Sequence, residues 1–179
     1  MSLDIASLRA PVGRIQAVAA AFLAVAMAAT VGGALGFEHL GGFLPCKLCL
    51  EQRTPYYIGA PLMILALLSH GLKWPGWLTR GLLLIGALLM TYGLALAIFH
   101  SGVEWKFWAG PTDCSAATMS ITTDAGSLLS DLNAVRPAAC DTAAGRFLGL
   151  SFAGWNAVAS LILLIVGFYA AFARPDKKA

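Results

Sequence analysis

Charge is what this sequence has least of. Only 12% of its 179 residues are charged, where a soluble domain carries about 25%. Hydrophobic residues make up 59%, for a mean hydropathy of +0.76. A water-soluble globule is excluded, because the polar side chains are too few to cover its surface. A basic stripe is also missing: the net charge is +3 and the cations stand singly or in short flanks, which excludes a nucleic-acid-binding face. Regular alternation of apolar and polar residues is absent from the Ala-, Leu- and Gly-rich runs, which excludes a membrane β-barrel. Asp, Glu, Lys and Arg are absent from inside those runs, which removes the usual mark of an ion pathway.

Four uncharged stretches remain, 15–37, 54–72, 81–103 and 147–173. Each is close to the roughly 20 residues that carry a helix across a hydrocarbon core at about 1.5 Å per residue. The expectation is an all-α membrane protein, one integral domain of four transmembrane helices with loops at 38–53 and 104–146. The first stretch follows Arg9 and Arg14, as a signal peptide would. Its apolar run exceeds the roughly 7–15 residues of such a leader, and three further runs follow. Lysine and arginine then orient the bundle. Residues 1–14, 73–80 and 174–179 hold Arg9, Arg14, Lys73, Arg80, Arg174, Lys177 and Lys178 against only Asp4 and Asp176. The two longer loops hold Lys47, Arg53, Lys106, Arg136 and Arg146 against the remaining acids. The positive-inside rule places both termini and the 73–80 connection in the cytoplasm, and the longer loops outside.

Cysteine is scarce too. Cys46, Cys49, Cys114 and Cys140 are the only four, and all fall in the outward loops. Small chains in an oxidising compartment use cysteine as disulfides. Three connectivities are open, and spacing favours Cys46 with Cys49 and Cys114 with Cys140. A C-x-x-C closes too short a loop to restrain the unfolded chain, so its value is chemical. This one lies in Pro45-Cys46-Lys47-Leu48-Cys49-Leu50-Glu51-Gln52-Arg53. A helix beginning near Pro45 points free N–H groups and its positive end at these sulfurs, with Arg53 one turn past Cys49. Both effects favour thiolate, the reactive form. Two other readings stay open at this point. One is a zinc site using Cys46, Cys49 and histidines such as His39 and His100, although a second C-x-x-C is lacking. The other is a non-enzymatic four-helix scaffold or transporter subunit whose disulfides only brace its loops.

The nine-residue run resembles the P-C-x-L-C-x-x-[EQ]-R signature of the DsbB family of disulfide-bond-formation membrane proteins. Its place at the outer end of the second of four helices, the lone cysteine pair in the second loop, and Arg146-Phe147-Leu148-Gly149-Leu150 followed by Trp155 are similar too. The resemblance implies a quinone-linked protein-thiol oxidase of the bacterial inner membrane. Its partner would be a soluble periplasmic thioredoxin-fold oxidant, DsbA, or a dedicated counterpart served by a specialised paralogue. Cys46 and Cys49 would form the membrane-proximal pair, with Cys49 facing the ring of ubiquinone or menaquinone and Arg53 beside it. Cys114 and Cys140 would form the pair that meets DsbA, with Cys114 making the mixed disulfide. Gln52 stands where some members carry Glu, which removes a charge next to Arg53. No metal is expected.

Thiol–disulfide exchange needs an attacking thiolate, an accessible target sulfur and a sink for electrons. Cys114 follows Gly110-Pro111 and Cys140 follows Arg136-Pro137, so both sit behind turn-forming residues, and this loop is expected to hand electrons to the first pair. Leu128, Leu129, Leu132 and Val135 recur at near-helical spacing, which predicts a short amphipathic helix on the bilayer surface. His100 ends the third span, placed to donate a hydrogen bond to a quinone oxygen. Arg53 offers a fixed cation. Glu104 and Lys106 flank Trp105 and read as a solvated boundary. Gly32 and Gly36 permit close helix contact within the bundle, and Pro55 and Pro61 interrupt the backbone bonds of the second span.

Overall fold

In hydrocarbon every backbone N–H and C=O needs a partner within the chain, so long apolar runs fold as helices. The computed structural model describes residues 12–111, 114 and 139–174. It contains α1 (Arg14–His39), α2 (Lys47–Gly71), α3 (Gly76–Glu104) and α4 (Phe152–Phe172). Three of them, α1, α3 and α4, are long and apolar enough to cross a membrane. The remaining expected span, within α2, has the length, at 25 residues. Its apolarity is diluted by Lys47, Glu51, Gln52 and Arg53 in the first two turns. The helix runs through both Pro55 and Pro61, and Gly93 of α3 leaves room for the Pro55 ring, whose Cβ lies 3.6 Å from where a glycine substituent would stand.

Two helix starts decide where chemistry can be built. Cys46 is the N-cap of α2, its Sγ accepting from the Cys49 N–H at 3.2 Å. Ser151 caps α4, its Oγ accepting from the Gly154 N–H at 3.1 Å. The fourth helix thus begins after the expected residue 147, because Arg146–Phe147 (β1) pairs antiparallel with Leu150–Ser151 (β2) in the register Arg146↔Ser151. Leu148 (φ 51°) and Gly149 (φ 86°) both adopt left-handed backbone, the requirement of a tight primed hairpin turn.

The helices pack in sequence order, with α3 broadly against α4 and α2, α1 along α2, and a shorter contact between α1 and α4. The core is small and sulfur-rich: Met27, Met63 and Met90 are fully buried among Leu23, Leu83 and alanines. Close approach comes at Gly59 against Met27, Gly86 against Met63, and Gly167, where a Cβ would lie 3.0 Å from the Ala87 Cβ. It does not come at Gly32 and Gly36, which face open space. Their stretch of α1 and the first turns of α4 border a cavity. The proposed surface helix around Leu128, Leu129, Leu132 and Val135 lies outside the described residues.

Arg80 was counted above among the flanking cations, yet it is wholly buried. Its Nη1 donates to the carbonyls of Ala171 and Ala173, both at 2.8 Å. The Gln16 Nε2 donates to Ala170 and Ala173 at 3.2 and 3.1 Å. Two side chains therefore satisfy the carbonyls that the end of α4 leaves unpaired, and the positive charge meets the negative end of the helix. Arg80→Met is expected to cost about 2–3 kcal/mol, lowering the thermal midpoint of detergent-solubilised protein by about 5–10 °C. An unchanged midpoint would show that the clamp contributes nothing.

Candidate functional site

At the far end of the bundle from Arg80, the first turns of α2 and α4 meet the last turn of α3. Spacing along α2 puts Cys49, Gln52, Arg53 and Tyr56 on one face. From α3 come His100 and Glu104, four residues apart. From α4 come Asn156 and Ser160, also four apart. The segment after α3 doubles back over the site. Trp108 lies against Gly102, where any side chain would collide with its ring, and its Nε1 donates to the Phe99 carbonyl at 2.8 Å. Lys106 pairs with Asp141 at 2.5 Å, and that hydrogen bond holds the exposed Asp141 carboxyl below its usual range.

This folding back brings the cysteines together. Cys114 and Cys140 are disulfide-bonded. Cys46 and Cys49 are recorded as free, with their sulfurs 2.6 Å apart. The sulfurs of Cys46, Cys114 and Cys140 all lie within 4.8 Å of one another, and all three residues are buried in a small apolar cluster with Leu48 and Val103. Cys49 is half-buried. Both thiols of the first pair precede the uncharged run that starts at Thr54. The contact with Cys49, burial and the charge of Cys49 push the Cys46 thiol up. Cys49 is lowered, chiefly by the hydrogen bond from Cys46 and against the cost of burial, with Arg53 helping. In the reduced pair the negative charge therefore belongs on Cys49.

Around the sulfurs runs a set of short polar contacts. His100 Nε2 lies 3.7 Å from the Cys46 Sγ and 3.9 Å from the Glu104 Oε1. His100 also hydrogen-bonds the backbone of Cys140. Its Nδ1 meets the Gln52 Nε2 at 2.6 Å. Glu104, read above as part of a solvated boundary, is buried and accepts from the Ser151 hydroxyl, because the β-hairpin covers it. Lys106 does stay exposed. Arg53 is not a free cation: Nη1 donates to the Glu38 Oε2 at 2.5 Å, which ties α2 to the end of α1. The zinc alternative loses its second histidine. Cys46, Cys49 and His100 cluster within 4.8 Å, and among the described residues His39 does not join them.

Beside the first pair the gap between α1 and α4 forms a cavity of about 1150 Å³. Ala29, Gly33, Ala34 and Ala159 supply apolar wall, while Cys49, Arg53 and His100 border it. Phe37, Phe43 and Phe152 pack together with ring centroids 5.1–6.2 Å apart, also on that wall. Sequence reasoning singled out Cys46, Cys49, Cys114, Cys140, Arg53 and His100, and the structure brings all six to this end. It missed Glu38, Tyr56, Asn156 and Ser160. The signal was there for the last two, neutral polar residues one turn apart inside an apolar span, but a search for charged groups passes over them.

Comparison with known proteins adds a decisive observation: the family model described as Disulfide bond formation protein DsbB matches residues 16–170. The chain belongs to the DsbB family. It is 32% identical over 142 residues to Disulfide bond formation protein B of Marinobacter nauticus, covering 76% of this chain and 80% of that protein. It is 30% identical over 142 residues to the protein of the same name from Alkalilimnicola ehrlichii, covering 79% and 85%. No solved structure matches. DsbB membership makes this helical, multi-pass membrane protein a disulfide-generating thiol oxidase, and it overturns the reading of an inert scaffold with bracing disulfides.

Proposed function

We propose that this DsbB-family oxidase takes electrons from a periplasmic thioredoxin-fold dithiol protein of the DsbA kind and passes them through two cysteine pairs to membrane quinone. The supporting observation is the meeting of sulfurs: Cys46 lies within 4.8 Å of both Cys114 and Cys140, at the edge of an apolar cavity. Cys114 and Cys140 receive the electrons, with Cys114 meeting the partner, and Cys46 and Cys49 pass them on. The cavity fits a quinone by its chemistry: apolar wall for a ring and isoprenoid tail, and Arg53 for a ring oxygen, with His100 bordering it beside the sulfurs. Bound there, a quinone, ubiquinone or menaquinone, supplies the acceptor for two electrons and two protons.

The chain's own groups do the rest. Cys49 holds the negative charge of the reduced pair at the cavity wall. Arg53, steadied by Glu38, offers a fixed cation where charge develops. Glu38 thereby keeps the guanidinium from swinging away to the lipid boundary. The spans expected at 15–37, 54–72, 81–103 and 147–173, with cytoplasmic termini in a bacterial inner membrane, set the cysteines on the periplasmic side. A test follows directly: purified protein with a reduced DsbA-like partner and a water-soluble quinone should consume one quinone for each partner disulfide formed. Partner oxidation without quinone consumption would sink the quinone assignment.

A further inference from the structure

The polar contacts around His100 form a directed chain. Two groups face its Nε2: the Cys46 sulfur at 3.7 Å and the Glu104 Oε1 at 3.9 Å. A sulfur and a carboxylate oxygen there call for a donor, so Nε2 carries the proton. The other nitrogen, Nδ1, meets the amide nitrogen of Gln52 at 2.6 Å, and an amide nitrogen only donates, so Nδ1 is bare. With its nitrogen turned to His100, Gln52 presents Oε1 to the Asn156 Nδ2 at 2.6 Å. With its nitrogen so used, Asn156 accepts from the Tyr56 hydroxyl at 2.6 Å. The Tyr56 oxygen in turn takes the hydrogen of Ser160, 2.8 Å away. Every donor in the run points the same way.

We propose that Gln52, Asn156 and Tyr56 are positioning residues that hold His100 with its Nε2–H aimed at the Cys46 sulfur, so that the chain of donors ends on the Cys46–Cys49 pair and stabilises its reduced form. The inference rests on the reading of that pair as redox-active. In reduction the Cys46–Cys49 bond breaks while a donor dithiol loses two electrons and two protons and closes its own disulfide. The Cys46 thiol then donates to the Cys49 thiolate while accepting from His100, and the second proton passes to solvent. No proton leaves His100; it supplies a hydrogen bond. Aligned bonds polarise one another in a low-dielectric interior, so a reversal at Gln52 or a break at Asn156 is felt at the sulfurs. Stabilising the reduced form makes a disulfide a stronger oxidant, as a pair that takes electrons from another dithiol requires.

Two measurements on full-length protein test this without quinone or partner. With His39 and His70 replaced by glutamine, the ring 15N shifts of His100 should report a protonated Nε2 and a bare Nδ1. Gln52→Glu keeps the shape but turns the facing atom into an acceptor, and Nδ1 should become protonated. Second, equilibration in thiol buffers, read for each cysteine pair by alkylation and peptide mapping, should find Cys46–Cys49 about three- to tenfold harder to reduce in Asn156→Leu. A tenfold change corresponds to about 30 mV for two electrons. Tyr56→Phe, which removes one oxygen, should shift it the same way and carries the test if Asn156→Leu does not fold. The Cys114–Cys140 equilibrium serves as the reference. A wild-type ring protonated on Nδ1 alone, a bare Nδ1 in Gln52→Glu, or unshifted equilibria in both other variants would overturn the proposal. Failure of the wild-type pair to exchange with thiols at all would instead overturn the redox reading beneath it.

Discussion

Cys49→Ser should reduce oxidation of the partner dithiol by about a thousandfold or more, the scale expected when a group that forms and breaks the reacting bond is removed. The reason lies in the division of labour within the first pair. Both cysteines border the cavity, but Cys46 is buried and its thiol is pushed up, whereas Cys49 is half-buried and lowered. Serine keeps the size and the helix but leaves no thiolate at neutral pH and no disulfide to reduce. An optical sign should accompany the loss. Reduced wild-type protein mixed with quinone is expected to show a long-wavelength visible band from a thiolate against the ring, and Cys49→Ser should lack it. Turnover within a factor of ten of wild type would remove Cys49 from the electron path. A band that survives in the variant would place a different donor against the ring.

The second large effect separates the two pairs. Removing both loop cysteines, Cys114→Ser with Cys140→Ser, should abolish oxidation of the protein partner to the same extent, because a bulky thioredoxin-fold surface cannot reach Cys46, which is 4% exposed. Quinone reduction driven by a small dithiol such as dithiothreitol should continue within a few-fold of wild type, since the first pair remains whole. Both serines are needed: a lone Cys140 thiol beside Cys46 would trap it in a mixed disulfide. Stopped-flow measurement of quinone loss with each reductant reads the difference. Equal loss with the small dithiol would mean that the second pair serves the site structurally and not as a relay.

Much of this was legible in the residues because bilayers impose simple rules. Charge scarcity and run length led to four helices, and the motif around Cys46 to the family. The second helix is the instructive partial case. Its apolar run was found, but its first turns carry the polar groups of the site, so hydropathy alone understates it. Glu104 was misread because its neighbours Trp105 and Lys106 are exposed. Burial of Glu104 depends on a hairpin forty residues later, which no local pattern around 104 reveals. Arg80 was misread in the same way, as a flanking cation, since the carbonyls it satisfies belong to the end of another helix.

The sequence by itself determined what is local and additive: a membrane medium set by composition, helices set by uninterrupted apolar length, and a reactive sulfur pair set by C-x-x-C ahead of a helix with Arg53 one turn on. Tertiary structure alone decided which groups meet. Cys114 and Cys140 reach Cys46 because the chain folds back over Gly102. Arg53 finds Glu38 because α1 ends beside α2. His100 acquires a direction because Gln52, Asn156 and Tyr56, from two other helices, line up their donors. Such meetings depend on how the helices pack, which arises from all the side chains at once and leaves no mark in any single segment.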